Sequence, residues 1–209
     1  MAYGPDARPR TGPVNSFLVS AAVVAFAEIG DKTQLLALLL ASKFRKPLPI
    51  ILGILVATLA NHAGAAAVGT WFSRVIGPDV MRWLLGMSFI AMGIWTLIPD
   101  KAGRDDEKQS PKDGWGVFGT TTMAFFLLEM GDKTQIATVA LAAKYSNLAL
   151  VTAGTTFGMM LANIPAVLLG DVAAKKLPLA LVRAVAALIF VVLGVVALFG
   201  VVPGFAATQ

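Results

Sequence analysis

Two short stretches hold most of the chemistry this chain has to offer. Glu28-Ile-Gly-Asp-Lys-Thr-Gln34 and Glu129-Met-Gly-Asp-Lys-Thr-Gln135 agree at six of seven positions. Each carries a Glu, an Asp and a Lys near the middle of a long apolar run. An ionised side chain at mid-bilayer costs about 2.5–3.5 kcal/mol on insertion scales, so six such groups need partners. Carboxylate, amide and hydroxyl oxygens are hard donors that suit Mg²⁺, Ca²⁺ or Mn²⁺. Residues three apart on a helix share a face, which points Glu28 with Asp31 and Glu129 with Asp132. Four carboxylates and two lysines, Lys32 and Lys133, leave a charge of −2, which one divalent cation neutralises. The competing structural reading pairs Glu28 with Lys32 and Glu129 with Lys133 as salt bridges at i,i+4 spacing.

Around these acids stand further oxygens and two glycines. Thr33, Gln34, Thr134 and Gln135 lie inside the motifs, and Asn61 and Asn163 occupy matching places in two other apolar runs. An amide in an apolar helix needs a partner, so the asparagines are additional ligands, orienters of the carboxylates, or plain helix–helix hydrogen bonds. Gly30 and Gly131 each lower helix stability by about 1 kcal/mol relative to alanine. They are expected to unwind the helix locally and free carbonyls for an ion, as in discontinuous transporter helices, or to permit tight packing. Pro165 is expected to loosen its own run. His62 aligns with Ile164 in the second half and reads as a packing residue or a proton-handling one.

The elements that position these residues follow from composition. Of 209 residues, 57% are hydrophobic and 14% charged, with mean hydropathy +0.76. Soluble domains average about 45–50% apolar and about 25% charged, so a soluble globular chain and a disordered one are both excluded. With no cysteine there is no disulfide, thiolate site or cysteine nucleophile. One histidine cannot build a multi-histidine zinc site. The net charge of +5 sits in short basic clusters between apolar runs, the pattern of membrane loops rather than of nucleic-acid binding. A membrane helix needs about 20 mostly apolar residues, and the chain offers six runs, at 16–41, 48–72, 81–98, 116–142, 148–170 and 180–202. The alternating strands of an outer-membrane barrel are absent from the sequence.

An internal repeat orders the six runs. At an offset of 101, Lys43 matches Lys144, Gly53 matches Gly154, Arg82 matches Arg183, Phe89 matches Phe190 and Gly93 matches Gly194. Leu59-Ala60-Asn61 matches Leu161-Ala162-Asn163 with a one-residue slip. Three spans per half is an odd number, so the second half enters from the opposite side, as an inverted repeat. The fold class expected is an all-α integral membrane protein of six transmembrane helices in two inverted-topology three-helix repeats. The expected organisation is an N-terminal tail at 1–15, repeats at 16–98 and 116–202, a linker at 99–115 and a C-terminal tail at 203–209. Nine of residues 99–114 are charged. The first apolar run is too long, and too charged at its centre, for a cleavable signal. With the motif lysines left out, the loops after spans one, three and five hold ten Lys/Arg against five opposite. This places the central loop in the cytoplasm and both termini outside.

The doubled E-x-G-D-K-T motif, the three-plus-three spans and the charged central loop resemble the transmembrane protein 165 family. It is also called uncharacterised protein family sixteen, within the lysine-exporter superfamily. The resemblance covers residues 16 to 202, and both motif copies fit the family pattern E-x-G-D-[KR]-[ST]. It implies transport of Mn²⁺ or Ca²⁺ against protons, with Glu28, Asp31, Glu129 and Asp132 as the metal ligands. It further implies a bacterial form in the inner membrane that exports manganese.

Cations and protons compete for the same buried oxygens. Loading on one side and release on the other therefore give cation/proton antiport, with one half rocking against the other. The partners expected are a divalent metal ion, protons and the lipid bilayer, with no nucleic acid and no resident cofactor. Rival readings are an exporter of a small organic cation such as a basic amino acid, a passive cation channel, and an intramembrane acid/base enzyme. The last suffers from the absence of an arginine near either motif.

Overall fold

The computed structural model describes residues 13–98, 116–169 and 179–199. Among them there are eight α-helices and no strand. They are α1 (Pro13–Glu28), α2 (Lys32–Phe44), α3 (Pro47–Val75), α4 (Pro78–Leu97), α5 (Gly116–Glu129), α6 (Lys133–Tyr145), α7 (Leu148–Leu169) and α8 (Leu179–Phe199). The linker at 99–115, the tail at 203–209 and residues 1–12 lie outside the described residues. Residues 13–15, read from sequence as tail, belong to α1.

Local chemistry sets the ends. Proline opens α3 and α4 at the first helical turn, where its missing N–H leaves no bond unmade. The helices α2 and α6 close on left-handed residues, Arg45 and Ser146, whose N–H groups bond back to Ala41 O and Ala142 O. Pro165 does not end α7, which runs through it to Leu169.

The motif-bearing runs break at Gly30 and Gly131, where the sequence predicts local unwinding, but the break is larger than a local loosening. The apolar stretches 16–41 and 116–142 are not continuous helices. Each breaks at its motif, and α1 and α2 meet at a bend of 70°. Among the described residues three helices are long and apolar enough to cross a membrane, or four if the bent pair α1–α2 counts as one span; α5 (Gly116–Glu129) and the Arg183–Phe199 part of α8 are shorter apolar helices. Large apolar side chains such as Leu18, Leu52, Trp71, Met87, Leu161 and Val192 are exposed on the outside of the bundle, an arrangement suited to lipid rather than water.

Packing is close and reciprocal. Gly53 on α3 seats against Phe118 O and the Thr121 side chain of α5. Its counterpart Gly154 on α7 seats against Phe17 O and the Ser20 side chain of α1. Each half therefore packs its third helix against the first helix of the other half. Gly158 lies against Ala21 O, and Gly69 against Val139 O; α4 and α8 meet through Gly86, Gly93 and Gly194. Small residues at these points let backbones approach and gain dispersion contacts, the main attraction between helices in lipid.

Candidate metal centre

The motif glycine and aspartate dictate the break. Gly30 and Gly131 have φ of 81° and 79°, the left-handed conformation that ends helices and that only glycine adopts without strain. Asp31 and Asp132 follow in extended backbone as N-caps of α2 and α6. The glutamine three residues on completes the turn: Gln34 Oε1 accepts the Gly30 N–H at 2.9 Å, and Gln135 Oε1 accepts the Gly131 N–H at 2.7 Å. Gly-Asp-x-x-Gln is thus a helix stop, an N-cap and a back-reaching N3 amide in sequence. Glu28 and Asp31 do not share one continuous helical face, as the sequence suggests. Glu28 ends one helix and Asp31 starts the next, and the bend turns both inward.

The two breaks meet. Glu28, Asp31 and Asp132, from motifs a hundred residues apart, each offer a carboxylate oxygen within 4.8 Å of the others, and all three are buried. Glu129 is not part of this trio, although it too is buried. The Thr58 hydroxyl donates to its Oε1 at 3.1 Å and the Asn61 amide reaches its Oε2 at 3.5 Å. Thr58 is a site residue that sequence reasoning missed; its signal was an i,i+3 relation to Asn61 on one face of α3.

The lysines do not pair with their own glutamates. Lys133 Nζ is bonded to Asp31 Oδ1, and Lys32 Nζ lies 3.0 Å from Asp132 Oδ1. Each aspartate is neutralised by the lysine of the other motif, so the ion pairs tie the halves together rather than bracing single helices.

The other sequence candidates divide. Thr33 donates to Glu28 Oε2, and Thr134 lies 3.4 Å from Asp132 Oδ2 with its hydroxyl. Gln34 and Gln135 spend their oxygens on the glycine N–H groups, and the Gln34 amide donates to Ala162 O at 3.1 Å. Asn61 also donates to Phe126 O at 3.0 Å. Asn163 donates to Met159 O and Sδ on its own helix, which leaves its buried Oδ1 without a hydrogen-bond partner among the described residues. Glu28 Oε1 is likewise buried without one. A cavity of about 360 Å³ between α3, α5 and α6 reaches Asn61, Phe126 and Gln135.

A hard, anionic, buried oxygen cluster with two lysines beside it can hold a small cation in exchange for protons or ammonium groups. The comparisons with known proteins agree. The family model described as "Divalent cation/proton antiporter GDT1" matches residues 16–104 and 117–203, one copy on each half. A Vibrio cholerae protein named "Putative manganese exporter" is 49% identical over 182 residues, 87% of this chain and 89% of that protein. "GDT1-like protein sll0615" of Synechocystis is 24% identical over 201 residues, 88% of this chain and 96% of its own. "GDT1-like protein 1, chloroplastic" of Oryza sativa subsp. japonica is 29% identical over 190 residues, 77% of this chain and 54% of its own. No solved structure matches. With the model covering both halves and a relative at 49% identity over most of the chain, this protein belongs to the GDT1 family of divalent cation/proton antiporters, transporters rather than enzymes.

Proposed function

We propose that the chain moves Mn²⁺ out of a bacterial cytoplasm in exchange for protons, through a carboxylate site at the bilayer midplane. One observation carries this reading: three buried carboxylate oxygens from two distant motif copies lie within 4.8 Å of one another. Glu28, Asp31 and Asp132 are the direct ligands, and Glu129 is the fourth acid, held beside them by Thr58 and Asn61. Thr33 and Thr134 orient carboxylates. Lys32 and Lys133 balance charge when no metal is bound. Gly30 and Gly131 supply the breaks.

The proposed membrane architecture has six spans, with α1–α2 and α5–α6 each as one broken span. The reciprocal packing of Gly53 and Gly154 supports an inverted repeat. The central loop is cytoplasmic and both termini are outside, in the inner membrane. Alternating access comes from one half moving against the other around the site.

The test uses purified protein in liposomes with a pH dye and a metal-sensitive dye read together. Mn²⁺ movement with counter-moving protons is the expected result, abolished by Glu28→Gln and reduced by Glu129→Gln. Flux indifferent to both substitutions refutes the ligand assignment. Mn²⁺ movement without protons would make the protein a channel. Ca²⁺ in the same assay ranks the two ions, since oxygen donors accept both.

A further inference from the structure

The carboxylates lie between two layers of the bundle. The second part of α3 and α6 run together to one face: Thr58 bonds Glu129 shortly before α6, Gly69 meets Val139 O, and Ser73 bonds Ser146. The helices α1 and α7 both start at that face, since Gly154 meets Phe17 and Gly158 meets Ala21. At the opposite face α3 and α5 start, with Gly53 on Phe118 O. The helix α2 ends there, its Leu40 clustered with Ile50 and Val167. The repeat exchanges the two layers, because α1 corresponds to α5 and α2 to α6.

The pair α4–α8 breaks this equivalence. Within the pair the contacts are reciprocal: Gly86 lies against Gly194 O and Gly93 against Ala187 O, and Gly86 and Gly93 correspond to Ala187 and Gly194. The seat of the pair on the bundle is one-sided. Helix α4 packs on α6 and α8 packs on α1. The counterpart pairings, α8 on α2 and α4 on α5, are not formed to a comparable extent among the described residues. The two hydrophobic cores divide the same way. Met81, Leu85, Phe89, Met92, Phe190 and Ala197 join the core of the α1–α6 layer, whereas the core of the α2–α5 layer holds no described residue of α4 or α8. The uncovered face is on α2: Leu39 is 43% exposed where its counterpart Ala140 is 4% exposed, and Ser42 is exposed where Ala143 is buried. Lys32 is likewise more exposed than Lys133.

We propose that α4 and α8 move as one strut, and that this conformer is the one shut at the α1–α6 face and entered beside α2 at the other. In the opposite state the strut leaves α1 and α6 and seats on α2 and α5. The repeat supplies two related seats, and one strut fills one of them at a time. The exchange is cheap in a bilayer, because lipid tails are as apolar as the side chains the strut uncovers. On the topology proposed above the open face is cytoplasmic, so this conformer is the one in which an exporter loads its ion. The inference rests on the antiport reading for its cargo, but the seating of the strut does not.

The chain has no cysteine, so introduced cysteines report cleanly. Ser73→Cys with Ser146→Cys, replacing hydroxyls whose oxygens lie 3.2 Å apart, is oxidised with copper phenanthroline to lock the α1–α6 face shut. In liposomes the cross-link is expected to cut Mn²⁺/proton exchange about tenfold or more, with Mn²⁺ binding unchanged and exchange restored by a reductant. Failure to cross-link, full exchange by the cross-linked protein, or binding lost with the exchange overturns the proposal. A second arm needs no transport. Leu39→Cys or Ala140→Cys is added to the oxidised protein and labelled in open membrane fragments with a membrane-impermeant maleimide. Leu39→Cys is expected to react about ten times faster or more. Equal rates, or faster reaction at Ala140→Cys, overturn the proposal whether or not the protein moves Mn²⁺. Unequal labelling in a protein that exchanges nothing even when reduced supports the strut and refutes the antiport reading alone.

Discussion

Lys133 and Asp31 form a pair whose two members are nearly out of contact with solvent, at 6% and 0% side-chain exposure; Lys32, opposite Asp132, is 28% exposed. This difference fixes the size of two otherwise equivalent substitutions. Lys133→Met leaves the Asp31 carboxylate charged and buried, and breaking such a pair costs about 3–5 kcal/mol. Lys32→Met removes an ammonium that water already screens in part, but Asp132 is 4% exposed, so a smaller loss of about 1–3 kcal/mol is expected. The assay is unfolding in mixed micelles by increasing detergent denaturant, followed by tryptophan fluorescence, without metal. The double variant Lys133→Met with Asp31→Asn is expected to regain at least half of the loss, since the orphaned charge is gone; the cycle then reports a coupling of about 2 kcal/mol. Mn²⁺ at a hundred times its dissociation constant adds about 2.7 kcal/mol to a protein that binds it only when folded. The Lys133→Met variant should gain more from it than the parent, because the metal replaces a missing cation. Equal losses from Lys133→Met and Lys32→Met, or a double variant no better than the single, would refute the crossed pairing.

Two further outcomes test the framework around the site. Gly131 has φ of 79°, so Gly131→Ala is expected to cost about 1–2 kcal/mol while Gly131→Asn costs less, since asparagine tolerates the left-handed region; the same unfolding assay checks the order, and an alanine variant as stable as the parent would show that the turn is not required. Gly158→Val drives a side chain into Ala21 O and the Ala25 backbone and is expected to cost about 1–3 kcal/mol or more by overpacking, with α1 displaced from α7; unchanged stability would show that this contact is not made.

The sequence shows the acids, the repeat and the apolar runs, because each is a local property of residue type. It marks Gly30 and Gly131 as places to unwind but not that each run becomes two separate helices. Hydropathy across 16–41 is continuous, and only the Gly-Asp-x-x-Gln order, read as stop, cap and N3 amide, predicts a helix ending at Glu28 and another starting at Lys32. Nor does it show which lysine serves which aspartate. The i,i+4 spacing of Glu28 and Lys32 offers a local pair, but the broken backbone puts the ammonium of one motif nearer the aspartate of the other. Thr58 escapes notice for a similar reason: a threonine in an apolar helix is unremarkable until α5 brings Glu129 to it.

The crossed pairing bears on how exchange is enforced. If each lysine served its own motif, the halves could separate with every charge satisfied, and the empty site could change its exposure freely. On the proposed movement of one half against the other, separation with nothing bound would strip the buried Asp31 and Asp132 of their counter-charges, and unpaired buried ions are costly. A divalent cation that takes the place of the two ammonium groups keeps the aspartates neutralised through such a movement, and protons on the carboxylates do the same. On that proposal an empty, deprotonated site is the state in which the movement is penalised, and penalising that state would make the exchange obligatory.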